Sequence, residues 1–449
     1  MPGDRYAYAR PAGLYTKGWT DRSRWRRAGP SWQPGAGPMS GAEEAAAYMQ
    51  GLLEKLAEFS EPGEGVTRLL YSPEWMQAQQ FLLEQISDSG LKGYADDVGN
   101  VYGELTGRRS SEPIVLTGSH IDTVVSGGRY DGAYGVAAAL AALRHLRRTY
   151  GPPQRTITAV SFAEEEGSRF PLTFWGSGHV TGLYDISEAA DCRDAGGVSL
   201  QEAMAGCELG PRQPKPSCSG LAAYVELHIE QGIVLEREGT QLGIVSAICG
   251  QRRFAAVVRG AANHAGTTPM GLRSDALAAA AEMTLRLEAL ATATGDPLVA
   301  TVGRLEVRPN TPNVIPGEVR FTLDIRHSHE PELEAFCAQA LDVFAEIAER
   351  RGAALRVEPR LAAVPALMDA RLQNELAAIC AGQGFTWRSM VSGAGHDAQL
   401  FAPLCPAAML FVPSRGGISH APEEDTPPEA LTAGLNVLIA LLYKLGYEE

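Results

Sequence analysis

Positive charge is in short supply in this chain: 39 Lys and Arg stand against 53 Asp and Glu, a formal net charge of −14. That deficit argues against a general binder of nucleic acid or of anionic membrane surfaces. It also sets a condition on function, because a site that takes an anionic substrate must then supply its own positive charge. Cysteine is sparse as well. Cys192, Cys207, Cys218, Cys249, Cys337, Cys380 and Cys405 are scattered, with no C-x-x-C pair. Neither a disulfide framework nor a cysteine zinc site is expected, and a reducing cytoplasm suits the chain. No apolar run reads as a membrane span; the longest candidate, Val136 to Leu143, is rich in small residues and ends at Arg144, which suits a buried helix. Internal repeats and long low-complexity tracts are absent too.

What is present is enough for two domains, since 449 residues exceed what one compact core normally holds. Residues 1–38 are rich in Arg, Gly, Pro, Trp and Tyr without helical or strand periodicity, and are expected to form a disordered extension, with Met39 the more natural start. Arg26-Arg27 is followed by no hydrophobic segment, so a twin-arginine export signal is rejected.

From Gly41 the pattern turns helical, with Tyr48, Leu52, Leu56 and Phe59 at helical spacing. Buried strands are expected at Ile114–Leu116, Thr156–Phe162 and Tyr224–Ile229, with a helix over Ala133–Leu146. Strands alternating with helices imply an α/β layer with a mainly parallel sheet. The middle of the chain reads differently: strand 254–259, helix 274–291, strands 300–307 and 318–325, helix 331–350, strand 355–358. That order is βαββαβ, the ferredoxin-like unit. The α/β pattern then resumes, with a helix near Leu372–Ala381, a strand at Ala408–Val412 and a long helix at Pro428–Leu445. A catalytic domain in two parts, 39–245 and 363–449, interrupted by an inserted lid or dimerisation domain at 246–362, accounts for the pattern.

The chemistry-bearing residues follow predicted strands, where open α/β sheets place their ligands. Gly118-Ser119-His120-Ile121-Asp122 comes directly after one, with Asp131-Gly132 shortly beyond. An imidazole and a carboxylate suit a borderline divalent ion such as zinc or manganese, and Asp122 is spaced to orient His120. Alone this pattern is weak, since a histidine in a glycine-rich loop is more often structural. Glu164-Glu165-Glu166-Gly167 follows the next strand. Three consecutive carboxylates usually mark a solvated helix start, but the preceding strand brings these to the sheet edge of His120. One could ligate a metal while a neighbour serves as base. His228, in Glu226-Leu227-His228-Ile229-Glu230-Gln231-Gly232, and His420, in Gly417-Ile418-Ser419-His420-Ala421-Pro422, complete the set. Three histidines with bridging and terminal carboxylates are enough for two four-coordinate ions.

These motifs resemble the two-zinc metallopeptidase family typified by aminoacylase and glutamate carboxypeptidase, and more closely its ureido-hydrolysing branch. The resemblance runs in order from Gly65 to about Glu424. It implies that His120, Asp131, Glu166, His228 and His420 bind two divalent metals (Mn²⁺ or Zn²⁺), with Asp131 bridging, and that Glu165 is the general base. It implies a cis peptide at Asp131–Gly132 and a homodimer formed through the inserted domain. It also implies that Gln231, Asn313 (in Pro312-Asn313-Val314-Ile315-Pro316) and Arg326 (in Asp324-Ile325-Arg326) bind substrate. His264, in Ala262-Asn263-His264-Ala265-Gly266, becomes an oxyanion stabiliser that could reach across a dimer interface. His396, in Ser392-Gly393-Ala394-Gly395-His396-Asp397, touches substrate or supports those that do. Independently of the resemblance, an arginine at a strand end is usually solvated, yet an anionic substrate needs a bidentate carboxylate receptor, for which Arg326 has the right chemistry.

The expected substrate is a small anionic ureido compound. Gly65 to Trp75, and Glu166 to Pro171 continuing to Phe174-Trp175-Gly176-Ser177, read more like branch members that hydrolyse allantoate than those that take N-carbamoyl-L-amino acids or β-ureidopropionate. Gly178-His179 departs from that pattern. A catalytically silent relative used for binding or assembly would have lost a ligand or the base, and none is missing. Gln231, Asn313 and Arg326 together speak against an aminopeptidase or plain deacylase. A site built from both domains is expected to close about a hinge.

Overall fold

The computed structural model describes residues 41–109 and 111–448; the extension expected at residues 1–38 lies outside the described residues. The strands are β1 (Lys92–Ala95), β2 (Val101–Leu105), β3 (Ile114–His120), β4 (Ile157–Phe162), β5 (Leu221–Ile229), β6 (Leu242–Ile248), β7 (Gly250–Arg259), β8 (Asn263–His264), β9 (Val299–Arg308), β10 (Val314–Ile315), β11 (Glu318–His327), β12 (Ala354–Ala363), β13 (Ala366–Leu367), β14 (Trp387–Ser392) and β15 (Ala407–Val412).

Nine of them form one mixed sheet in the order β1-β2-β4-β3-β5-β15-β6-β13, with β14 also on β6. Its centre is parallel: β3 pairs with β4 and β5, and β5 with β15. Residues of β4 and β15 are buried throughout, as expected of parallel strands covered on both faces. The helix Ala133–Tyr150 packs against β3, β4 and β5 and is buried on nearly every side from Ala133 to Leu143. Its alanines and glycine let the backbones approach. The sequence does not announce β1, β2, β6, β13 and β14. Of these β1, β13 and β14 are short or partly exposed, whereas β2 and β6 are buried almost throughout; all five are paired in the large sheet.

The remaining long strands form a separate antiparallel sheet, β12-β7-β11-β9. The helices Ala276–Thr294 and Glu330–Arg350 bury an apolar face against it. Element order and pairing are those of the expected βαββαβ unit. The chain passes between the sheets at Cys249, between β6 and β7, and returns at Val364-Pro365, between β12 and β13. The breaks read near residues 246 and 362 fall inside β6 and β12.

One sequence expectation needs correction. The C-terminal stretch Pro428–Glu448, rather than Val136 to Leu143, is long and apolar enough to cross a bilayer by length and hydropathy. More than half of it is buried in the protein. Leu431, Leu435, Leu438, Leu441 and Leu442 join the main core, so its apolarity serves packing.

Candidate metal centre and substrate cavity

Because β4, β3, β5 and β15 are neighbours and parallel, their C-terminal ends share one edge of the sheet. His120 is the last residue of β3, Glu164-Glu165-Glu166 follow β4, His228 lies near the end of β5, and His420 sits on the loop after β15. Asp131 stands two residues before the helix Ala133–Tyr150, directly over this edge. Its Oδ1 is 3.2 Å from His228 Nε2 and 3.8 Å from His120 Nε2. Its Oδ2 is 3.2 Å from His420 Nε2, which is itself 3.1 Å from Glu166 Oε1. Two ligand groups result, His120/Asp131/His228 and Asp131/Glu166/His420, the donor atoms of each within 4.8 Å of one another. They share Asp131.

Local chemistry fixes the imidazoles. His120 Nδ1 lies 3.1 Å from the Asp122 carbonyl and 3.4 Å from Asp122 Oδ1, and His228 Nδ1 lies 2.9 Å from the Ile229 carbonyl. With Nδ1 donating, the Nε2 lone pair of each ring is turned toward Asp131. Asp122 Oδ2 also accepts the backbone N–H groups of Glu165 (3.0 Å) and Glu166 (3.1 Å). One buried carboxylate thus ties the two clusters together. Gly132 is obligatory here: a Cβ on it would lie 2.4 Å from His120 Nε2. The turn is made by its positive φ of 62°. Asp131–Gly132 is not cis; the cis peptides among the described residues all precede proline, at Pro211, Pro297 and Pro309. The expected cis bond is therefore replaced by the freedom of glycine.

Non-glycine residues with positive φ cluster at this edge: Glu164 (66°), Gln231 (54°) and His420 (56°). Each costs on the order of 1–3 kcal/mol, a strain held by the surrounding packing. Electrostatics are equally marked. Burial, reinforced by Glu166, holds the Glu165 carboxyl well above the usual range despite the opposing pull of His120. Burial would raise Asp131 too, but hydrogen bonds to His228 and His420, with the charge of His228 and His120, keep it well below. Hydrogen bonds to Asp131 and Glu166 raise His420 to about 10.

A cavity of about 970 Å³ opens over the cluster and runs to the small sheet. His120, Asp131, Glu165, Glu166, His228, Gln231, His396 and His420 line one end, and Arg326 with Arg253 and Gln251 the other. Gln231 donates from Nε2 to Asp131 Oδ2 at 2.8 Å. His396 is buried, edge-on to the His228 ring with centroids 4.6 Å apart, and its Nε2 is 2.8 Å from Ser392 Oγ. Arg326 is gripped by both oxygens of Asp324 and donates from Nη1 to the Gly393 carbonyl at 2.6 Å. It therefore bridges β11 and the loop after β14. His264 lies instead on β8 and Asn313 just before its partner strand β10, the two joined by the Ala265 N–H to the Asn313 carbonyl. Both are exposed and neither lines the cavity.

Sequence reasoning missed three residues that brace the centre. Glu226 accepts from Ser119 Oγ (2.7 Å) and the Ala398 N–H (2.9 Å) beneath His228. Ser419 and Glu424 contact Asp131 from the His420 loop. The only sequence signal for them is nearness to His228 and His420.

Residues 116–444 match the model of "Peptidase family M20/M25/M40". The allantoate amidohydrolase of Bacillus subtilis (strain 168) is 46% identical over 88% of this chain and 96% of its own length. That of Escherichia coli (strain K12) is 43% identical over 87% and 95%. A crystal structure of a hydantoinase/carbamoylase family amidase from Burkholderia ambifaria superposes with a TM-score of 0.84 at 35% identity, covering 89% of this chain and 98% of that one. With the family match spanning most of the chain and the shared fold carrying it, this chain belongs to peptidase family M20/M25/M40.

Proposed function

We propose that this chain is a two-metal amidohydrolase that cleaves the ureido C–N bond of allantoate, giving ureidoglycine, ammonia and carbon dioxide. The observation that carries the reading is Asp131, whose two carboxylate oxygens face separate groups of imidazole and carboxylate ligands. That donor set fits two divalent cations, manganese or zinc, held by His120, Asp131, Glu166, His228 and His420 with Asp131 shared. Such cations, when bound, supply Lewis acidity and lower the pKa of water.

Glu165 takes the proton of the attacking water and returns it to the leaving nitrogen. Asp122 keeps His120 in its ligating orientation. Arg326 and Asn313 receive the substrate carboxylate, while Gln231 and His396 contact its body. His264 stabilises the oxyanion. Since His264 and Asn313 stand outside the cavity, they reach substrate by closure of the inserted sheet or from a second copy. Met270, Leu272, Leu285, Val299 and Leu305 are exposed on that inserted unit, and β9 is an edge strand, features that support a homodimer through it. Reduced, dispersed cysteines support a cytoplasmic setting.

The second reading, hydrolysis of N-carbamoyl-L-amino acids, is favoured by the hydantoinase/carbamoylase likeness. Allantoate has a second ureido arm, and a site built to bond that arm rejects compounds without it. The deciding experiment is ammonia release by the manganese-supplemented enzyme, offered allantoate or a panel of N-carbamoyl-L-amino acids. Preference for allantoate, abolished by chelator, is expected; preference for the carbamoyl compounds would replace the substrate and leave the chemistry intact.

A further inference from the structure

Glu424 stands on the loop between β15 and the C-terminal helix, four residues beyond His420, and is almost fully buried. Its Oε1 accepts the backbone N–H groups of Tyr130 (2.8 Å) and Asp131 (3.2 Å). Ser419 Oγ lies 2.9 Å from Glu424 Oε2 and 3.1 Å from Asp131 Oδ2, so one hydroxyl proton is shared between the two carboxylates. The opposite wall is equally specific: a Cβ at Gly128 would lie 2.0 Å from the Glu424 carboxylate. Space on the Asp131 loop is thus cut to admit this side chain.

A buried carboxylate is costly unless its oxygens are bonded, and here both are bonded to the segments that carry Asp131 and His420. Those two residues are 289 positions apart in the chain, and neither segment is a strand whose ladder could hold it in register. We propose that Glu424 is a positioning residue that aligns the Asp131 carboxylate with the His420 loop, and so sets the affinity of the cation group Asp131/Glu166/His420. The inference rests on the two-cation reading. It assigns Glu424 no contact with substrate.

The test is titration of the metal-free protein with Co²⁺, followed by calorimetry and visible absorption, for wild type, Glu424→Ala, Glu424→Gln and Gly128→Ala. Glu424→Ala is expected to weaken one of the two binding steps about 10–100-fold, the usual cost of removing a group that supports a metal ligand, and to change the cobalt spectrum. KM should hold while kcat falls, and excess metal should restore part of it. Glu424→Gln, which keeps an acceptor for the two N–H groups, should retain more affinity than Glu424→Ala. Gly128→Ala displaces an intact Glu424 and should weaken the same step; it decides the matter should Glu424→Ala not fold. Wild-type affinities and spectra in both Glu424→Ala and Gly128→Ala would overturn the proposal. So would an equal loss of both steps accompanied by a lower melting temperature of the metal-free protein. Uptake of a single ion by wild type would sink the two-cation reading alone, since the effect of Glu424→Ala is then read on that ion.

Discussion

Asp122 and Glu165 are joined by a 3.0 Å hydrogen bond from the Glu165 backbone N–H to Asp122 Oδ2, while Asp122 Oδ1 faces His120 Nδ1 at 3.4 Å. One side chain therefore fixes both the ring of a candidate metal ligand and the backbone of the candidate base. Replacing it disturbs both at once. Asp122→Ala is expected to lower kcat and metal affinity together, each by about 10–100-fold. Calorimetric metal titration beside steady-state kinetics checks this, and retention of wild-type values in either would separate the two roles.

Glu165 is the proposed proton carrier, with Glu166 as the residue that faces His420. Glu165→Gln is isosteric and should keep both metals. Loss of general base catalysis is expected to lower kcat about 10²–10⁴-fold with little change in KM. Metal content and single-turnover rates of the purified variant decide it; kcat near wild type would remove the assignment.

Arg326 connects the two sheets through Asp324 and the Gly393 carbonyl. Lysine keeps the charge but loses the planar fork. Arg326→Lys should raise KM roughly 10-fold or more, the cost of one charge-assisted hydrogen bond, and leave kcat within a few-fold. A lowered kcat at unchanged KM would instead mark Arg326 as part of the chemical step.

Among the described residues the chain passes between the small sheet and the large one twice, at Cys249 and at Val364-Pro365. Closure of the inserted unit over substrate is expected to reduce the radius of gyration in X-ray scattering when a non-hydrolysed ureido acid is added with metal. Identical scattering with and without the ligand would sink this hinge.

The apolar C-terminal helix provides a stability test. Leu435 is fully buried in the main core, and Leu435→Ala should cost about 2–5 kcal/mol in urea unfolding while the surviving folded enzyme keeps its KM. A cost below about 0.5 kcal/mol, the range of surface changes, would mean that this helix is not packed as described.

Strand ends were legible because burial on both faces leaves unbroken apolar runs. The residues at or just past the ends of β3, β4, β5 and β15, namely His120, Glu165, Glu166, His228 and the loop of His420, could be read as one cluster from the sequence. The βαββαβ order was legible for the same reason, through helical and strand periodicities of the inserted segment. Partnership across the chain was not. Glu424 reaches Asp131 across 293 positions, and Asp122 holds backbone N–H groups 43 and 44 positions away; a backbone donor carries no residue type, so no pattern announces its acceptor. The trans Asp131–Gly132 turn and the seat of His264 and Asn313 outside the cavity were settled in three dimensions too. Side-chain type and local periodicity determined which residues could do the chemistry. The packing of one sheet edge against distant loops decided which of them meet.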